Sequence, residues 1–148
     1  MTDDAPEFAV CTTFHFGAPD GETWGFTSET FAARLTEQWP ATRYEECGSL
    51  PGWGRQLRFG VPAGEFAFDG SFAPERQSLY LADLPVVAAA AFVLWLQEVI
   101  PAGARIRFSS NDAFEVGIER DYWIPAAATY EQIVAVLTDH LAEVEAEE

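Results

Sequence analysis

The amino-acid sequence predicts an α+β fold. It reads as a two-layer sandwich, with a mainly antiparallel sheet of five to seven strands covered on one face by two or three helices. Three observations predict this. Leu84 to Leu96 is the longest apolar run and carries no charge, and Asp83, Pro85 and Pro101 suit the start and stop of a helix around it. Stretches with helical spacing also follow Thr27 and Thr129. Short segments of period-two alternation fill the intervals between these helices.

From Phe8 to Phe16 the side chains Phe8, Val10, Thr12, Phe14 and Phe16 fall on one face, with Cys11 and His15 on the other, as in a half-buried strand. Gly17 to Gly21 is turn chemistry, and Glu22 to Phe26 returns as a short second strand. Thr27 caps a helix that runs to Trp39, with Phe26 and Phe31 placed as a hydrophobic staple. Phe31, Leu35 and Trp39 make its apolar stripe, and Pro40 ends it.

Thr42 to Cys47 reads as a polar edge strand, and Gly48 to Gly54 as a loop around Trp53. A hairpin follows, Gln56 to Val61 and Gly64 to Asp69, turning at Pro62-Ala63, so that Phe59 faces Phe66 and Leu57 faces Phe68. Gln77 to Leu81 is a further strand with Leu79 and Leu81 inward. In the helix over 84–100, Val87, Phe92, Trp95 and Val99 form a bulky face for the sheet. Its small side, with Ala89, Ala90 and Val93, must meet a second helix, a second subunit or a cavity.

Ala104 to Ser109 and Ala113 to Ile118 form a second hairpin through Ser110-Asn111-Asp112. That register pairs Phe108 with Phe114, Ile106 with Val116 and Arg107 with Glu115. Asp121-Tyr122-Trp123 lies in a loop. The last helix opens on a capping box, Thr129 with Gln132, and lines Tyr130, Ile133, Leu137, Leu141 and Val144 on one face. Residues 8–69 and 77–118 share the order strand, helix, strand, strand. Their helices stop at Pro40-Ala41 and Pro101-Ala102, the pattern of an internal repeat.

At 148 residues with 49% apolar composition the chain is one globular domain, 1–148, with 1–7 and 145–148 expected to be disordered or frayed. The acidic start and the short apolar run point to a cytoplasmic protein without a membrane span. Net charge is -16, from 24 acids against 8 bases, and every base is Arg. Folding does not require that choice, since Lys and Arg have similar helix propensities, and GC-rich bacterial coding accounts for it. The charge argues against nucleic acid and anionic membranes as partners and is compatible with solubility, with a basic protein partner, or with both.

Cys11 and Cys47 form no CxxC pair and read as free thiols, so no metal site is expected. His15 and Cys11 on one strand face are roughly 13 Å apart, too far to chelate together. His15 reads as a packed histidine and His140 as an exposed helical one. No nucleophile elbow, dinucleotide fingerprint or phosphate loop is present, so no catalytic residue and no cofactor is assigned.

The aromatic loops are the sharper signal. Trp53, Tyr122 and Trp123, flanked by Arg55 and Arg120, form a candidate partner-binding set, although such rings also serve to close the ends of a core. The expected function is a non-catalytic protein-interaction domain of the immunity or antitoxin type. The alternative is a small-molecule binder or cofactor-independent enzyme using Arg58, Arg105, Arg107 and Glu115 on an open sheet face. A homodimer through the small side of the central helix is the third reading.

Overall fold

Alternation in the first strand decides which side of the sheet is dry. In the computed structural model, which describes residues 11–51, 54–63 and 66–147, β1 (Thr12–Gly17) buries Thr12, Phe14 and Phe16 and leaves Thr13 and His15 half-buried on its other face. The expected contributions of Phe8 and Val10, and the Trp53 loop tip, lie outside the described residues. The remaining strands are β2 (Arg43–Leu50), β3 (Gly54–Ala63), β4 (Phe66–Ala73), β5 (Ser78–Leu84), β6 (Arg107–Ser110) and β7 (Tyr122–Trp123). All seven form one antiparallel sheet in the order β2-β3-β4-β5-β1-β6-β7.

The dry face of that sheet gathers Phe14, Phe16, Leu57, Phe59, Phe72 and Leu81 among others into one cluster. Over it lie α1 (Ser28–Gln38), α2 (Val86–Val99) and α4 (Tyr130–Glu147), which contribute Phe31 and Leu35, Phe92 and Leu96, and Ile133 and Leu137. The short helix α3 (Asn111–Glu115) sits at the end of β6. No helix among the described residues is long and apolar enough to cross a membrane.

Local signals set the helix starts. Thr27 Oγ1 accepts the Thr30 amide at 3.0 Å, and Thr30 Oγ1 accepts the Thr27 amide at 2.8 Å, a reciprocal cap. The Phe26 and Phe31 rings meet at 5.4 Å and close the staple. Phe31 then stacks on Phe72 at 4.3 Å, so one residue joins the helix start to the sheet. Trp39, at the C-cap of α1, stacks on Phe92 of α2 at 5.9 Å. Thr129 and Gln132 cap α4 in the same reciprocal way, at 3.1 and 2.8 Å.

The small side of α2 is settled within one chain. Ala89, Ala90 and Val93 are fully buried, and α4 packs against α2. Tyr130 donates to the Val87 carbonyl at 3.2 Å and Gln97 donates to the Ala128 carbonyl, tying the two helices together. That face therefore offers no surface for a homodimer seam.

Several expectations are corrected. Glu22 to Phe26 is not a strand; the Phe26 amide is taken by the Gln77 side chain at 3.0 Å instead of a sheet neighbour. Asp83 does not cap α2, which starts after Pro85; Asp83 has φ +48° and donates its amide to Thr13 Oγ1 at 3.1 Å. The β3–β4 register pairs Leu57 with Phe72 and Phe59 with Gly70, and Pro62 and Ala63 belong to β3. The slip is an even number of residues, so the buried face is unchanged although every partner differs.

The larger correction concerns 104–118. Only Arg107–Ser110 is a strand, paired with β1 and β7, and the expected return strand is α3. Ser110 accepts the Ala113 amide at 3.2 Å, so Ser110-Asn111-Asp112 acts as a helix cap instead of a hairpin turn. Phe114 is consequently exposed, and Arg107 pairs with acids other than Glu115. Without that strand, 77–118 does not repeat the order of 8–69. Tyr122-Trp123 is the edge strand β7, not loop, and His140 is 2% exposed instead of solvated.

Candidate functional site

The face of the sheet away from α1, α2 and α4 carries one continuous cross-strand row. Glu45, Arg58, Ser71, Tyr80, His15 and Ser109 are successive partners across β2, β3, β4, β5, β1 and β6. The neighbouring row is small in its middle, where Ala73 pairs with Ser78 and Ser78 with Gly17, which in turn pairs with Arg107. A Cβ at Gly17 would stand 3.0 Å from the Ser78 Cβ, so the two strands approach closely here. Small residues between larger ones make a hollow. Phe114 and residues 118–121 wall it on one side, and the whole groove has a volume of about 910 Å³.

Charge is distributed unevenly around this groove. Four of the eight arginines line it (Arg58, Arg76, Arg107 and Arg120), against two of the 24 acids, Glu119 and Asp121. Arg107 is held by Asp20 at 3.1 Å and Asp121 at 3.8 Å. Arg120 pairs with Glu143 and lies 5.7 Å over the Tyr122 ring. Arg58 is exposed and has no ion-pair partner among the described residues. Beneath it the floor is polar and organised, with the Ser71 hydroxyl donating to Gln56 Oε1 at 2.8 Å, both residues buried.

At the other end of the row, His15 is packed between two rings. Its centroid is 6.0 Å from Tyr80 and 5.1 Å from Phe114, and its Nε2 lies 2.7 Å from Asn111 Oδ1. Burial pushes the His15 pKa below its ordinary value, against the opposing pull of the Asn111 hydrogen bond, so the ring is neutral at pH 7. Tyr80 and Phe114 are 38% and 54% exposed, so both rings offer apolar surface to the groove.

The residues singled out from the sequence divide. Arg58 and Arg107 share the groove, whereas Arg105, which precedes β6, pairs with Glu22 at 2.7 Å and lies 4.8 Å over Trp123. Glu115 in α3 is not part of the lining. Arg55 opens β3 and pairs with Glu75 at 3.8 Å, while Arg120, Tyr122 and Trp123 lie at the β7 edge. Five strand steps separate β3 from β7, about 24 Å, so these arginines and rings do not make one patch. Tyr122 is half-buried and donates to Glu143 at 3.1 Å; Trp123 is exposed.

Sequence reasoning missed Tyr80, Gln56, Ser71, Phe114 and Arg76 as site residues and gave His15 no ligand role. Outward positions on alternating strands were the available signal. What brings them together is the placement of β1 between β5 and β6, which no local pattern specifies.

A serine–histidine pair also exists, Ser110 Oγ to His140 Nε2 at 2.9 Å. Both residues are buried, Ser110 is committed to the cap of α3, and His140 Nδ1 has no partner among the described residues that would orient it. Nucleophilic catalysis needs an accessible hydroxyl and an oriented base, so this pair is structural. Cys11 and Cys47 are free thiols, and no group of three or more His, Cys, Asp or Glu is placed to hold a metal among the described residues.

No family model, no curated protein and no solved structure matches this chain.

Proposed function

We propose that this chain is a binding protein whose ligand is a small organic anion, a carboxylate or phosphate, held on the open face of the sheet. One observation carries the reading: in a chain of net charge -16, half of the arginines line a single groove that holds two acids. Charges beyond a Debye length, ~8 Å at physiological ionic strength, are largely screened; within it, Asp20 and Asp121 offset Arg107 and Glu143 offsets Arg120, so Arg58 is the cation on which the reading rests. Arg58, with no ion-pair partner among the described residues, offers a planar fork that matches a carboxylate or phosphate in two parallel hydrogen bonds.

The reading of a basic protein partner draws on the same net charge. It has less local support, because Arg55 on β3 lies far from Arg120, Tyr122 and Trp123 at the β7 edge, and both of its arginines are already paired.

Isothermal titration with a panel of monocarboxylates and alkyl phosphates tests the proposal. Saturable one-to-one binding that drops at least tenfold in Arg58→Ala, with folding unchanged, is the expected result. Binding that is indifferent to Arg58, or absent across the panel at millimolar concentration, overturns it.

A further inference from the structure

We infer that the ligand carries a planar aromatic ring, so that the groove takes an aryl-substituted acid, with the ring against Phe114 and Tyr80 beside His15 and the acid at Arg58. This rests on the anion-binding reading of the groove and adds the other half of the ligand. The row from Arg58 through Ser71 to Tyr80 spans two strand steps, ~10 Å, and His15 is one step further. A ring joined to an acid by a short chain covers that distance once the Arg58 side chain reaches toward it.

The aromatic end is built for a ring. Among the four large apolar side chains exposed on the described surface, two, Tyr80 and Phe114, flank the same histidine in this groove. His15 is fixed by Asn111, so its ring does not swing away when a ligand enters. Asn111 and Phe114 both belong to α3, so the short helix presents the ring and locks the histidine together. Between the two ends the floor is small or polar, with Ser71, Gln56 and Ser78, which leaves room for a linking chain. An aliphatic acid would satisfy Arg58 equally but make no ring contact with the exposed surfaces of Tyr80 and Phe114 beyond those they make with His15, and offset or edge contacts between rings favour the aryl ligand.

The experiment compares 4-phenylbutyrate, heptanoate and 4-phenylbutan-1-ol by calorimetry on the full chain, with Phe114→Ala and Arg58→Ala alongside. The expected result is that 4-phenylbutyrate binds about tenfold more tightly than heptanoate, the scale of one to two ring contacts. Phe114→Ala should weaken 4-phenylbutyrate about tenfold more than heptanoate and so remove that preference, while Arg58→Ala should weaken both acids. Equal affinity for the two acids, or equal loss of both in Phe114→Ala, overturns the aromatic inference and leaves the anion site standing. Equal affinity for the acid and the alcohol, or no binding by either acid, overturns the anion site as well. Sedimentation of the free chain supplies the last arm: a dimer abolished by Phe114→Ala would make a second copy the occupant and overturn the proposal.

Discussion

His140 Nε2 and Ser110 Oγ lie 2.9 Å apart in a pocket closed by the Phe108 and Tyr122 rings, and this contact fastens α4 to the junction of β6 and α3. Burial lowers the His140 pKa to about 4, with the Asp112 charge opposing that shift and the Arg120 charge adding to it. The unfolded chain binds the proton near pH 6.5, so between 6.5 and about 4 the unfolded state holds more protons than the folded one. Stability from this group is therefore complete above pH 6.5 and is lost as pH falls through that window, by about 1.4 kcal/mol per pH unit at the steepest. Urea midpoints of the parent and His140→Phe between pH 7.5 and 5 measure it: the parent should lose about 2 kcal/mol more than the variant across that range.

Gly70 tests the sheet register. A Cβ there would stand 2.1 Å from the Tyr80 carbonyl oxygen and 2.9 Å from the Phe59 ring, and the first is backbone that cannot yield cheaply. Gly70→Ala should destabilise by about 1–3 kcal/mol, the range for overpacking, in a thermal or urea melt. In the register the sequence suggested, Phe59 would face Phe66 and Gly70 would lie outside the hairpin. A neutral substitution would favour the pairing of Phe59 with Phe66.

Phe31 concentrates several contacts in one ring: the staple with Phe26, the 4.3 Å stack on Phe72, and an edge contact with Trp95 at 6.1 Å. It is fully buried. Phe31→Ala should cost about 3–5 kcal/mol by chemical denaturation, a large share of the 5–15 kcal/mol typical of a domain. Phe26→Ala, at a partly buried ring, should cost clearly less, and equal costs would contradict the packing described.

What was legible in the sequence was local. Thr27 with Phe26 and Phe31, and Thr129 with Gln132, announced two helices because cap and staple lie within five residues of each other. Apolar alternation identified the dry faces of β1, β3, β4 and β5, and even a wrong hairpin register kept those faces. The reading failed where one signal has two meanings. Ser110-Asn111-Asp112 suits a turn or a helix cap, and the choice was made by β1 and β7 occupying both sides of β6. The groove was half legible: Arg58 and Arg107 were placed on an open face, but Tyr80, His15 and Phe114 meet only because β1 lies between β5 and β6.

Arg58 and Arg107 share the groove but should answer substitution differently. Arg107 joins Asp20 in the β1–α1 loop to Asp121 beside β7, with its side chain 31% exposed, so it staples two loops across β6. Partly screened pairs of this kind contribute about 0.2–1 kcal/mol each, and Arg107→Ala should lower stability by roughly 1 kcal/mol. Arg58 is exposed without an ion-pair partner among the described residues, so Arg58→Ala should change stability by less than about 0.5 kcal/mol. Urea denaturation of both variants, beside the binding titration, separates the two roles. A stability loss in Arg58→Ala as large as that in Arg107→Ala would mean that Arg58 is held by the fold and is not available to a ligand.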